Sequence, residues 1–251
     1  MKKEMWLWLL GISLLAGCSV TVPNETVNTP AEQVSSQLEI QHEAPLIAVS
    51  DDEKVKLFAR NEAQNEITEV TLDIGGKRKN FDWTIPDTGT KPQLFYTDLT
   101  NDHKEEAAII IQTGRGTGLN HYEIHVVNGE DLSEMNVQHY EDIVAHTIES
   151  TITKKDDGTL AITMKAQGKE STFDYDFDPA PDINQAQLAF GGVVIYTVEN
   201  QKIMLNIPGS IGISPIYVAD VRITYQFNRT NNEFLVEQID VKPIENKAAK
   251  S

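Results

Sequence analysis

The chain has one cysteine in 251 residues, so it cannot close an internal disulfide or build a cysteine zinc cluster. Basic residues are scarce as well: 21 Lys and Arg stand against 38 Asp and Glu, a formal net charge of −17. A nucleic-acid binder needs a basic face to displace counterions from phosphates, and this composition argues against one. It equally disfavours attachment to anionic lipid through a polybasic patch. Long apolar runs are missing too. The run Met5–Leu15 covers about eleven residues, whereas a resident transmembrane helix needs about twenty.

What stands at the N-terminus reads as an export signal. Lys2 and Lys3 form a positive head, the apolar run follows, and it ends in Leu15-Ala16-Gly17-Cys18. This tetrapeptide resembles the lipobox of bacterial lipoproteins, in which a branched apolar residue and two small residues precede the cysteine. Small residues let a peptidase reach the bond, and the thiol accepts a diacylglyceryl group. The resemblance implies removal of residues 1–17 and lipidation, including palmitate, at Cys18. The mature chain is then held on the extracytoplasmic side of a bacterial cell membrane. Each buried CH₂ contributes about 0.8 kcal/mol, so several acyl chains make a durable anchor.

Residues 18–50 are rich in Thr, Ser, Pro, Glu, Gln and Asn, with scattered valines that follow no period, and read as a disordered tether, with Pro45-Leu46-Ile47-Ala48-Val49 at its end open to a place in the fold. From about residue 51 the pattern turns to short alternating segments separated by turn signals such as Gly75-Gly76, Asp157-Gly158 and Asn231-Asn232. Twelve strands are predicted between Val55 and Val241, with one short helix over Gln138–His146. The expected fold is mainly β, built of antiparallel sheets in a sandwich-like or partial-propeller-like arrangement. The prolines of Asp178-Pro179-Ala180-Pro181 divide it into a subdomain over 51–178 and another over 179–245, and 246–251 form a tail.

One segment carries ion chemistry. Between strands ending at Thr97 and starting at Ala107, oxygen-bearing residues occupy alternate positions: Asp98, Thr100, Asp102, the Lys104 carbonyl and Glu106. The layout resembles the calcium loop of FG-GAP and VCBS-type repeats, and the resemblance implies Ca²⁺ on those five residues. Calcium takes six to eight hard oxygens, and a tight turn delivers them from alternate positions. Two departures weaken it. Thr100 puts a neutral hydroxyl where the family carries a carboxylate or amide, and His103 stands where glycine permits the turn. The corner can also persist without metal, its side chains accepting backbone N–H bonds. A single such repeat is found, over about residues 93–128, so a closed propeller is unsupported. With the glycine-rich hairpin that follows, the segment is similar to single-repeat surface lipoproteins of spore-forming and related Gram-positive bacteria.

The remaining motifs are weaker. Gly114-Arg115-Gly116-Thr117-Gly118 lacks the Lys-Ser/Thr and helix start of a phosphate loop. Ser210 lies among glycines, with Pro215 where a nucleophile elbow needs a helix. His121, Glu123 and His125 recur every second residue and so share one strand face, which suits zinc or copper or simply faces solvent. Three functions follow: a non-catalytic binding or assembly module with an envelope protein or polymer as partner, an extracytoplasmic enzyme acting on wall polymers or peptides, and a metal-handling lipoprotein. The first is favoured, since no local catalytic set is found, although catalytic groups also meet only in three dimensions.

Overall fold

The computed structural model describes residues 44–63, 65–177 and 184–245; the signal, Cys18, most of the tether and the tail lie outside the described residues. Five strands open the fold: β1 (Leu46–Val49), β2 (Val55–Ala63), β3 (Glu66–Ile74), β4 (Lys77–Phe81) and β5 (Ile85–Pro86). The first four pair antiparallel in chain order, and β5 pairs with β3. Gly75 and Gly76 take φ +58° and +90° in the β3–β4 turn, a backbone that a side chain resists.

A second run comprises β6 (Gln93–Thr97), β7 (Glu106–Gly116), β8 (Leu119–Asn128) and β9 (Glu134–Val137), each antiparallel to the next. The helix α1 (Tyr140–Thr147) has eight residues, too few to be stable alone, and the fully buried Ile143 fixes it to the core. A three-stranded meander follows in β10 (Ile148–Lys154), β11 (Leu160–Ala166) and β12 (Lys169–Tyr175). The chain ends in β13 (Val193–Glu199), β14 (Lys202–Asn206), β15 (Gly209–Ile211), β16 (Ile216–Asn228) and β17 (Glu233–Pro243).

These elements close a ring. Neighbours run β13–β14–β16–β17–β9–β8, and β13 pairs with β8 to complete six strands. Two of the contacts, β17 with β9 and β13 with β8, are parallel. Closure removes most of the free edge that an open sheet would present. The fold is thus mainly β with one short helix, as the alternation implies. The expected division at residue 178 is not a division of the sheets, because β13 and β17 pair directly with β8 and β9.

The core explains why β7 lacks alternation. Ala107, Ile109 and Ile111 face the N-terminal sheet together with Val55, Leu57 and Leu72. Ala108 and Ile110 face the ring, with Val126, Leu205, Ile223 and Phe234. A strand buried on both faces reads as a continuous apolar run. The meander is tied on through the Tyr175 hydroxyl, which reaches the Val218 carbonyl.

Candidate functional site

The acidic corner between β6 and β7 is built around two carboxylates used in different ways. Glu106 is 1% exposed, and its Oε2 accepts the backbone N–H of Leu99 (2.9 Å) and of Thr100 (3.2 Å). Burial pushes the Glu106 carboxyl above its ordinary pKa, opposed by those two N–H donors. Asp98 accepts from Asp102 N–H (3.2 Å) through Oδ1 and from His103 N–H (2.9 Å) through Oδ2. Asp102 in turn accepts the Lys104 N–H at 2.9 Å, a bond that holds its carboxyl below the usual range.

His103 stands at the glycine position of the resemblance with φ +67°, and Asn101 has φ +56°. The backbone therefore makes the left-handed turn despite a side chain, at a cost of roughly 1 kcal/mol per residue. Gly129 closes the corner from β8, its N–H donating to the Glu105 carbonyl at 3.2 Å. A Cβ there would lie 2.4 Å from that carbonyl oxygen and 2.7 Å from the Tyr96 hydroxyl, so only glycine fits. Glu106 Oε1 and Thr100 Oγ1 are buried and lack hydrogen-bond partners. Two orphaned hard oxygens are what a calcium ion would use, and to that extent the residues fit the ion.

A second feature lies along β8. Asn120 and His121 pair with β13, while Val126 and Val127 pair with β9, leaving the segment between them flanked on one side only, by β7. A cavity of about 420 Å³ occupies this interruption, bounded by β8, β9, the start of α1, Tyr196 of β13 and Glu233 of β17. The size is that of small-ligand sites. Because it lies at a strand edge, residues of both strand faces line it, so Tyr122 and Ile124 share it with His121, Glu123 and His125.

The two imidazoles are engaged separately. His121 has Nδ1 3.1 Å from the Thr113 hydroxyl and Nε2 3.3 Å from the Tyr140 hydroxyl. His125 stacks on Trp83 (4.3 Å between centroids), and its Nδ1 lies 2.8 Å from Glu134 Oε1. Trp83 Nε1 donates to the same oxygen at 3.1 Å. The His125 bond, ahead of the opposing burial, holds the Glu134 carboxyl below its ordinary pKa. Glu123 is exposed on the rim. Among the described residues, no three His, Cys, Asp or Glu side chains come close enough together to share a metal ion.

Ser210, by contrast, is buried in the middle of β15 with its hydroxyl on the Ala189 carbonyl (3.3 Å), a packing role. Glu134, Tyr196 and Glu233 were not expected at a site. Glu134-Met135-Asn136-Val137 does alternate in the sequence, and that short period is the one signal for β9. No known protein family, curated protein or solved structure matches the chain.

Proposed function

We propose that the chain is a lipid-anchored extracytoplasmic protein whose β-sheet head is a non-catalytic binding or assembly module, with calcium steadying its acidic corner. The observation that carries the binding reading is the cavity along β8, ligand-sized and lined by β8, β9 and the start of α1. His121 is held through both ring nitrogens and His125 through Nδ1 by Glu134, which makes them parts of a fixed wall. The lipobox-like Leu15-Ala16-Gly17-Cys18 supports the anchor, because the sole cysteine stands directly behind a complete export signal.

The anchor is tested in cells fed an alkyne-tagged palmitate. The full chain should take up the tag and sediment with membranes, and Cys18→Ala should lose both properties. An untagged wild-type chain that retains Met1 overturns the anchor.

The ion is tested by melting the protein in millimolar calcium and in chelator. A site occupied at about ten times its Kd adds about 1.4 kcal/mol, which raises Tm by about 3–6 °C for a domain of this size. Asp98→Asn, which removes the charge and keeps one acceptor, should abolish that difference. Equal melting of the wild type in both media removes calcium from the proposal.

A further inference from the structure

The charge around the cavity is of one sign. Glu123, Glu134, Glu141, Asp142 and Glu233 line it, and neither lysine nor arginine does. The carboxylates come from β8, β9, α1 and β17, so they surround the opening and do not cluster at one point. Salt bridges quench other acids of the head, such as Glu237 by Lys202 and Asp174 by Lys155, whereas among the described residues no lysine or arginine forms a salt bridge with a rim acid; Glu134 alone is met by His125, with Lys79 nearby. A concave surface lined by one sign of charge concentrates the opposite sign.

The floor is aromatic and apolar. Tyr196 is 6% exposed and Tyr122 and Tyr140 are half-buried, beside Ile124, Met135 and Val137. The Tyr225 hydroxyl donates to the Gln138 carbonyl at 3.0 Å, and the Tyr196 hydroxyl, deeply buried at the cavity floor, interacts with that of Tyr225. Burial pushes the Tyr196 phenol up to about 12, so it stays neutral and keeps both a donor and an acceptor. Tyrosine faces attract ammonium groups, and an apolar floor accepts methylenes.

A bare divalent ion does not suit this arrangement, because among the described residues no three ligating side chains converge and the carboxylates are spread over four elements. We infer that the cavity along β8 binds an aliphatic amine carrying more than one ammonium group, its methylenes on the tyrosine floor and its ammonium groups at the rim carboxylates. The inference rests on the reading of the head as a binding module and adds the class of its ligand.

The test is calorimetric titration of spermidine into the full chain, purified from membranes in detergent, at low salt. Glu123→Gln/Glu233→Gln removes two rim charges at sites where one side chain is exposed and the other half-buried, so the fold is kept. Glu62→Gln/Glu66→Gln removes the same charge from exposed positions of the N-terminal sheet. One saturable site is expected. It should weaken by about tenfold in the first variant and by less than about twofold in the second. Tetramethylammonium, with a single charge, should bind at least about tenfold more weakly than spermidine. Equal weakening in the two variants would reduce the effect to attraction by an acidic chain and overturn the inference, as would absent saturation or equally tight tetramethylammonium. Failure of the binding-module reading looks different: spermidine binds at the rim as described but is recovered chemically altered.

Discussion

Glu106→Ala should destabilise the head by roughly 3–5 kcal/mol in chelator, because two buried N–H donors each lose their acceptor at roughly 1–3 kcal/mol. The donors are those of Leu99 and Thr100, held inside the corner at 2.9 and 3.2 Å. For a domain of this size the loss lowers Tm by roughly 6–20 °C. Glu106→Gln keeps a carbonyl oxygen for the same donors and removes a buried charge, so it should cost less than about 1 kcal/mol. Thermal melting of the two variants beside the wild type decides the matter. If alanine and glutamine melt alike, the backbone of the corner holds itself and the carboxylate is incidental.

The same pair of chains has a pH signature. The native Glu106 carboxyl binds its proton more tightly than the unfolded one, whose pKa is near the ordinary 4.5. Its contribution to stability is therefore full below that value and is lost as pH rises through the raised folded value. Relative to Glu106→Gln, the wild type should gain stability on acidification through that window. Acids held below their ordinary range, Glu134 by His125 and Asp102 by Lys104 N–H, act with the opposite sign in both chains and cancel in the comparison.

Tyr225→Ala should cost a further roughly 3–5 kcal/mol, the range for deleting a large aromatic ring from a packed core. The ring is 1% exposed, lies 6.5 Å from that of Tyr196, and belongs to the cluster that fills the strand ring. Tyr225→Phe keeps the ring and removes only the donor to Gln138, at roughly 1–2 kcal/mol. Burial drives the phenol far above its ordinary pKa, so the hydroxyl remains a donor across the accessible pH range. Urea unfolding should show the midpoint falling in both variants with the slope unchanged. A Tyr225→Phe midpoint equal to that of wild type would mean that Gln138 does not depend on this bond.

Much of the fold is legible in period and punctuation. Strands over Leu160–Ala166 and Val193–Glu199 coincide with β11 and β13, because alternation there survives burial on one side. Helix α1 starts two residues later than expected, at Tyr140, and ends at Thr147, since chain ends of a helix are set by packing as well as pattern. The corner at Asp98–Glu106 shows in sequence as a spacing of oxygens. That Glu106 and not Thr100 holds the N–H donors depends on which side chain reaches inward, and a linear pattern does not carry that information.

The cavity itself was not legible, although three of its lining residues, His121, Glu123 and His125, stand out in the sequence at alternate positions. It exists because β8 takes one partner at Asn120–His121 and another at Val126–Val127, and those partners lie about seventy residues or more and about eight residues away along the chain. Tyr196 and Glu233 reach the same opening from strands far downstream, with no local signature.

By itself, the sequence determined the acidity, the single thiol, the β-rich head and the acidic turn, because each is fixed by residue types and short spacings. The tertiary structure alone decided that six strands close a ring through two parallel contacts, and that the closure leaves an aromatic-floored opening rimmed by acids. Pairing between distant strands is set by which faces can be buried together, and that competition is settled only when the whole chain packs.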